Sequence, residues 1–276
     1  ITDTLGWTHF HLMNPCHGAW VHDNTVRGPI KAHDAKGQWA DGLSISCQDS
    51  VIENNTVYDA SDAAIVFFGG VGTKIRNNHV IQENESAFAA INVGDAELLD
   101  HTGFEITNNT VETRNVRYLH SGITVGLHLW YGDRPILKDV KVAGNYIQGL
   151  IRYGLTVDGC NPCTITGNEV SNWHPLYFDS DSCLASTPYV ASVSDGHAGG
   201  DLQAGFVDGS IDNCLGYVSP LQSTFNQFAG PDAIFPYYLD YEVALFTQRM
   251  ENGEDAHATL VDYWSGVAWQ VGDTYY

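Results

Sequence analysis

Basic side chains are scarce in this chain. Lysine and arginine together number 12, against 33 aspartates and glutamates, and the formal net charge is −21 at pH 7. Eleven of the twelve basic residues lie at or before Arg152, and only Arg249 follows. A chain of this charge repels a phosphate backbone, which excludes nucleic acid as a partner on electrostatic grounds. A neutral ligand, or one recognised locally, is easier to accommodate.

Several motifs that mark common kinds of site are also missing. No apolar run approaches the roughly 20 residues of a membrane span, so no membrane partner is expected. We find no glycine-rich phosphate loop, serine-hydrolase elbow or transition-metal cluster. Aspartates in turns can hold calcium, but no EF-hand spacing supports it, so no cofactor is predicted. The chain starts at Ile1 without a signal peptide, which we interpret as a mature or trimmed product.

A short repeat dominates the first 170 residues. It reads apolar, two variable residues, Asn, one variable residue, apolar, and it occurs at residues 21–26, 52–57, 75–80, 106–111, 142–147 and 165–170. The steps between successive asparagines are 31, 23, 31, 36 and 23 residues. A minimum of 23 with variable additions is typical of a coil of three short strands whose loops differ in length. Repeats of this size indicate a solenoid.

Asparagine has a physical reason to recur at one point of such a coil. Its side-chain amide can bond the same amide one coil above, since neighbouring strands lie about 4.8 Å apart. The residues before it all suit a positive φ; they are Asp23, Asn54, Asn77, Asn108, Gly144 and Gly167. A β-propeller is the competing repeat fold, but its blades are longer and have no such column.

A second strand precedes each asparagine. It covers residues 42–46, 63–67, 89–93, 122–126 and 154–158, where small residues come before a Leu or β-branched residue that we expect to point inward. Alternation then predicts an outward column on this sheet, composed of Ser44, Val66, Asn92, Thr124 and Thr156.

With these repeats, residues 10 to 175 resemble the right-handed parallel β-helix proteins of the pectin-lyase-like superfamily. The resemblance implies an all-β, right-handed parallel β-helix solenoid. It also implies that polysaccharide binds in a groove formed by one parallel sheet and the loops beside it.

The last hundred residues differ from the repeats. The ladder is expected to stop beyond His174-Pro175, and residues 232–251 predict a helix, with a shorter one at 255–264. An open solenoid end exposes strand edges that must be covered. We therefore predict β-helix coils at residues 1–175 and, at 176–276, a C-terminal capping region that is not an independent domain.

Six cysteines permit up to three disulfides and fit an oxidising, extracellular compartment. Cys16 and Cys47 each lie eight residues before a ladder asparagine, so adjacent coils stack them. Cys160 and Cys163 form a short-loop disulfide or two structural thiols, and the residual pair is Cys183 with Cys214. Glycosylation sequons begin at three asparagines and matter only in a eukaryotic secreted protein; they are Asn54, Asn84 and Asn108.

Two aspartates are the strongest catalytic candidates. Asp41 and Asp62 are 21 residues apart, about one short coil, and each comes just before an apolar strand. Paired carboxylates support glycoside hydrolysis, one as acid and one as base or nucleophile. The alternative is that each aspartate only forms a turn.

The stretch around Asp41 and Asp62 resembles a polygalacturonase pattern in which an Asp-Gly strand is followed one coil later by an Asp-Asp pair. It departs from that pattern at Ser61, where the first Asp of the pair is expected. The expected His-Gly and Arg-x-Lys strands are also replaced, at residues 88–91 and 122–125. The departures argue against polygalacturonase activity itself.

Long insertions mark the functional face, because loops on a rigid scaffold carry function. His120 is our third catalytic candidate. Trp39 and Trp130 are candidates for stacking on sugars. The full set of substrate-binding candidates is Lys31, His33, Trp39, Arg117, His128, Trp130 and Arg152. Solvated loop charges and aromatics that pin a loop are the alternatives.

These features predict a secreted protein that cleaves a polysaccharide by hydrolysis, with an oligosaccharide or polysaccharide as its partner. Two other functions stay open. One is a uronate lyase or epimerase, in which His120, Arg117 and Arg152 supply a base and cations. The other is a non-catalytic carbohydrate-binding or structural β-helix, which the lack of ionisable groups in the outward column favours. We expect a monomer or a side-by-side homo-oligomer.

Overall fold

The structure, a computed structural model, describes residues 1–2, 8–27, 40–84, 87–93, 100–114, 117, 119–126, 135–173 and 187–209. Its strands are, in chain order, β1 (Thr8–His17), β2 (Trp20–His22), β3 (Thr25–Arg27), β4 (Asp41–Gln48), β5 (Val51–Glu53), β6 (Thr56–Tyr58), β7 (Ala63–Gly69), β8 (Lys74–Arg76), β9 (His79–Gln82), β10 (Ala87–Val93), β11 (Glu105–Thr107), β12 (Thr110–Thr113), β13 (Leu119–Val125), β14 (Val140–Ala143), β15 (Tyr146–Gly149), β16 (Ile151–Val157), β17 (Cys160–Thr166), β18 (Glu169–Trp173), β19 (Tyr189–Ala191), β20 (Ala198–Leu202) and β21 (Val207–Asp208).

These strands form three parallel sheets. The first has the order β1-β4-β7-β10-β13-β16-β19-β21, the second β2-β5-β8-β11-β14-β17-β20, and the third β3-β6-β9-β12-β15-β18. Through β18, each turn of the chain adds one strand to every sheet, and each strand pairs with the strand of the next turn. This is the connectivity of a parallel β-helix, and no helix occurs in the part of the chain that is described.

The core lies between the three sheets and is built of stacked aliphatic residues. The third sheet contributes Val26, Val57, Val80, Val111 and Ile147, and all of them are buried. The second contributes Val21, Ile52, Ile75, Ile106, Val142 and Ile165, and the first contributes Leu43, Ile65, Ile91, Ile123 and Leu155. Burial of each such side chain contributes about 1.5–3 kcal/mol to the stability of the fold. Because the side chains stack from turn to turn, every added turn extends one continuous core.

The predicted asparagine ladder is present between the second and third sheets. From Asn24 to Asn168, each side-chain Nδ2 donates to the Oδ1 of the next rung over 2.8–3.0 Å. Each backbone N–H donates to that same Oδ1 over 2.9–3.1 Å. The residues before the rungs all have φ between 54° and 66°, as predicted; these are Asp23 (55°), Asn54 (55°), Asn77 (54°), Asn108 (55°), Gly144 (66°) and Gly167 (64°).

The ladder ends later than we expected. Gln203 accepts hydrogen bonds from the backbone N–H and Nδ2 of Asn168, over 2.9 and 3.0 Å. Glutamine continues the column because its side chain ends in the same amide. The first and second sheets also continue past residue 175, through β19, β20 and β21. The predicted helices at 232–251 and 255–264 lie outside the described residues, so the division into coils and cap stays a prediction.

Two cysteine pairs lie at disulfide distance. Cys16 and Cys47 stand opposite each other in the register of β1 and β4 and are bonded, as the stacking of adjacent coils predicted. Cys160 and Cys163 form the short-loop disulfide. The predicted partners Cys183 and Cys214 are outside the described residues. Among the residues described, no helix is long and apolar enough to cross a membrane.

Candidate functional site

Near the start of β7, β10, β13 and β16 in the first sheet lies a residue whose chemistry changes from turn to turn. Ala63, Ala89, Ser121 and Tyr153 are register partners on four successive turns. The residue just before each of them therefore forms a second column, consisting of Asp62, Phe88, His120 and Arg152. We call these four residues the entry column. The backbone N–H groups of Phe88 and Ala89 donate to the carbonyl oxygen of Asp62 over 2.9 and 3.1 Å. These bonds place Phe88 next to Asp62 in the column.

His120 is the titratable group at the centre of the column. It is 4% exposed, and its ring stacks on Phe88 with centroids 5.5 Å apart and planes 16° apart. The Tyr153 ring lies at the same distance, tilted by 53°. Burial holds the pKa of His120 well below its usual value, and the positive charge of Arg152 lowers it further. The imidazole is therefore neutral at pH 7, and its Nδ1 has no hydrogen-bond partner among the described residues.

Arg152 follows His120 on the next turn. It is 6% exposed, and its guanidinium carbon lies 5.2 Å from the centroid of the Tyr153 ring. The indole N–H of Trp173 donates to the Arg152 carbonyl oxygen over 3.3 Å. A buried cation over an aromatic face is stabilised by the quadrupole of the ring. Arg152 is thus almost fully buried, and its positive charge acts on the imidazole one turn away.

Asp41 lies beside the entry column rather than in it. Leu43 pairs with Ile65, so Ala63 and not Asp62 stands opposite Asp41. The N–H of Ala63 donates to Asp41 Oδ1 over 3.5 Å, and the hydroxyl of Ser44 is 2.8 Å from Oδ2. Asp41 is 5% exposed, whereas Asp62 is partly exposed. The two aspartates lie on neighbouring turns, offset by one residue.

The predicted outward column of the first sheet has the expected register. Ser44, Val66, Asn92, Thr124 and Thr156 are successive partners. Val66 is buried but is not part of the core cluster, which places it on the other face of the sheet. All five side chains are buried, and Thr124 donates a hydrogen bond to Asn92. None of these five residues is ionisable, but the column continues on β1 with the partly exposed His11, the register partner of Ser44.

The structure describes only part of the predicted substrate-binding set. Arg117 is partly buried, and its N–H donates to the Arg114 carbonyl oxygen over 2.9 Å. The other loop candidates lie outside the described residues; they are Lys31, His33, Trp39, His128 and Trp130.

Phe88 and Tyr153 are site residues that our sequence reasoning did not assign. A signal for them exists, because Phe88, His120 and Arg152 are spaced by 32 residues, as are Ala89, Ser121 and Tyr153. Equal spacing along two neighbouring columns indicates that the rings stack from turn to turn.

Glycosylation candidates differ in their surroundings. Asn54 and Asn108 are exposed residues with positive φ in the turns before the ladder. Asn84 is exposed as well, but its Nδ2 donates to Asp59 Oδ2 over 2.8 Å, and its N–H donates to Oδ1. Within the described ranges, no group of three or more His, Cys, Asp or Glu side chains is arranged to hold a metal ion.

The chain was compared with protein-family models, with curated proteins and with solved structures. No significant match was found in any of the three.

Proposed function

We propose that this protein is a secreted, carbohydrate-active β-helix protein that cleaves a polysaccharide at the entry column. One observation carries the proposal: a carboxylate, a neutral imidazole and a guanidinium share one register column at the start of the first sheet. A carboxylate and an imidazole can act as acid or base on a sugar, and a guanidinium can bind the substrate. In the neighbouring outward column, the five residues from Ser44 to Thr156 are buried and not ionisable, so the entry column is the strip in which all three kinds of group occur together.

In this proposal Asp62 and Asp41 are the catalytic pair. Hydrolysis of a glycosidic bond needs one carboxyl group that protonates the leaving oxygen and one that activates water or attacks the sugar. Asp62 is partly exposed and can reach a bound chain. Asp41 lies on the preceding turn, with Ser44 and the Ala63 N–H holding its carboxylate. His120 and Arg152 position the substrate beside them.

A uronate lyase or epimerase is the second candidate, and His120 is the observation that favours it. Such a reaction needs a base to remove a proton and a cation to neutralise the sugar carboxylate. The imidazole of His120 is neutral because its pKa is lowered by burial and by Arg152. A neutral imidazole can accept a proton, and the guanidinium that lowers its pKa is the cation.

Non-catalytic carbohydrate binding is favoured by a different observation. His120 and Arg152 are both almost fully buried, and the ring stack around them packs like a structural core. The carboxylate of Asp41 is likewise held by hydrogen bonds to Ser44 and to the backbone of the next turn, which suit a structural role.

One set of assays separates the three functions. Purified protein is incubated with neutral and uronate polysaccharides, and both reducing ends and the ultraviolet absorbance of unsaturated products are followed. Hydrolysis predicts that Asp62→Asn or Asp41→Asn abolishes the release of reducing ends while folding is kept. Asp139→Asn is the matched control, because Asp139 is exposed in a turn with φ 55° that asparagine also adopts.

Other outcomes reassign the reaction. Unsaturated products that persist in both aspartate variants and disappear in His120→Gln indicate a lyase. Retention on a polysaccharide gel with no product from any substrate indicates binding alone. Unchanged turnover in Asp41→Asn and Asp62→Asn contradicts the hydrolytic proposal.

Secretion and membership of the pectin-lyase-like superfamily are part of the same proposal. The cysteine pairs Cys16–Cys47 and Cys160–Cys163 support an oxidising compartment. The three parallel sheets and the asparagine column support the superfamily, and crossovers between parallel strands favour the right-handed sense. An experimental structure tests the handedness directly.

A further inference from the structure

The second sheet carries an exposed tryptophan that the entry column does not use. Trp20, on β2, is 64% exposed, while its neighbour Val21 points into the core. Large aromatic side chains gain stability by burial. An indole that remains in solvent therefore adds little to the stability of the fold.

Trp20 is nevertheless held in one orientation by groups from three turns. Its Nε1–H donates to Glu53 Oε1 over 2.8 Å, and Glu53 Oε2 accepts from Arg76 Nε over 2.7 Å. His22, Glu53 and Arg76 are register partners on β2, β5 and β8. These bonds hold the pKa of Glu53 below its usual value, with the Arg76 bond the larger cause, so the carboxylate stays charged as an anchor.

One face of the indole is also covered. The His22 ring stacks on it with centroids 3.8 Å apart and planes 23° apart, and His22 Nδ1 is 2.6 Å from Asp23 Oδ2. The edge of the indole is fixed by Glu53 and one face by His22, while the side chain remains mostly in solvent. A ring that has already lost its rotational freedom binds a flat partner at a lower entropic cost.

From this arrangement we propose that Trp20, His22, Glu53 and Arg76 form a second carbohydrate site, which binds a neutral hexopyranose unit of an oligosaccharide. The C–H face of a pyranose packs on the indole, since the negative face of an aromatic ring attracts weakly positive hydrogens. Glu53 and Arg76 border the ring and offer hydrogen bonds to hydroxyl groups. We name these four residues the Trp20 platform.

Charge selects a neutral sugar over an acidic one. The Nε of Arg76 is already bonded to Glu53, and Asp23 and Glu53 are both near the indole. A uronate would add a negative charge beside two carboxylates, on a chain whose net charge is −21. The platform lies on the second sheet and the entry column on the first, so either site can fail without the other.

Isothermal titration of the full chain with cellohexaose, mannohexaose and hexagalacturonate tests the proposal. We expect at least one neutral hexasaccharide to bind, and Trp20→Ala to weaken that binding by about tenfold, since a stacking contact contributes up to about 1.5 kcal/mol. Trp20→Phe keeps a flat ring and retains most of the affinity. Met13→Ala is the matched control, because Met13 is exposed to a similar degree (63%) and is apolar.

Three results would overturn the platform. The first is that neither neutral hexasaccharide binds the wild-type chain. The second is that Trp20→Ala binds as tightly as wild type, with an unchanged thermal midpoint showing that it is folded. The third is that hexagalacturonate binds more tightly than the neutral sugars and depends on Trp20. Turnover of a polysaccharide plays no part in these readings, so they are independent of the proposed cleavage.

Discussion

The asparagine ladder and the entry column are both columns of residues that stack from one turn to the next. They differ in chemistry. The ladder repeats one side-chain amide from Asn24 to Asn168 and ends on the amide of Gln203. The entry column changes at every step, from carboxylate to phenyl, imidazole and guanidinium. A repeated group can bond its own copy one turn away, and this stabilises the stack. A column of unlike groups cannot bond copies of itself in this way, and ligand chemistry is the reason that we propose for its variety.

Breaking a ladder rung should have the largest effect on stability. Asn78 accepts from the N–H and Nδ2 of Asn55 and donates to the oxygens of Ile52 and Asn109. Leucine at this position leaves buried partners unsatisfied, each costing about 1–3 kcal/mol, so Asn78→Leu should lower the free energy of unfolding by about 4 kcal/mol or more. Chemical denaturation measures the loss.

The neighbouring residue provides the control for this change. Asn77 is exposed with φ 54°, a conformation that glycine adopts freely. Asn77→Gly should therefore be close to neutral. If Asn78→Leu cost no more than Asn77→Gly, the ladder would not be a stabilising device.

The inter-turn disulfide should rank second. Cys16 and Cys47 are 31 residues apart, and closing a loop of that length destabilises the unfolded chain by about 3.7 kcal/mol through lost conformational entropy. We expect Cys16→Ala/Cys47→Ala to lower the free energy of unfolding by that amount. The Cys160–Cys163 bridge spans three residues, so the matched double variant should lose less. An equal or larger loss there would contradict the loop-length argument.

A crowded corner of the first sheet should come third. A Cβ on Gly122 would lie 2.6 Å from the Gly154 carbonyl oxygen and 2.9 Å from Ile147 Cγ2. Overpacking of this kind costs about 1–3 kcal/mol, so Gly122→Val should lower the melting temperature measurably. Gly103 has open space around it and φ 70°, and Gly103→Asn serves as the control. Equal melting temperatures for the two variants would show that the corner is not tight.

The smallest effect concerns His120 and is seen only in acid. Its pKa is lowered in the folded state, so below about pH 6.5 the unfolded chain binds a proton that the folded chain does not. Stability should therefore fall with decreasing pH, by at most about 1.4 kcal/mol per pH unit from this residue. His120→Gln should reduce that slope.

Denaturation at pH 8 is the reference for the His120 variant. At that pH the His120 imidazole is neutral in both the folded and the unfolded chain, so wild type and variant differ only in packing. An identical slope below pH 6.5 in wild type and His120→Gln would mean that the imidazole is charged in the folded protein. The entry column would then lack the neutral base that the lyase alternative needs.

Much of the fold could be read from the sequence because the β-helix repeats its register. The Asn spacing placed Ser44, Val66 and Thr124 in one column, and it placed Cys16 against Cys47. Gln203 was not predicted because the repeat was defined by asparagine. The hydrogen bond from Asn168 needs only a side-chain amide oxygen, which glutamine also has.

The candidate site was harder to predict because it depends on single residues. Asp41 and Asp62 are 21 residues apart, but the register of the two turns advances by 22, which moves the pair out of line by one position. Burial of His120 and Arg152 depends on rings from other turns, chiefly Phe88 and Tyr153. Neither effect is visible in a local pattern.

The most direct test of the central claim is a crystal structure of the Asp41→Asn/Asp62→Asn variant soaked with a hexasaccharide that the wild-type chain binds. We predict a sugar ring within hydrogen-bond distance of residue 62, with the chain running along the first sheet beside the entry column. An entry column that is covered by protein and holds no sugar, whether or not a saccharide occupies the Trp20 platform, would contradict the assignment of chemistry to this column.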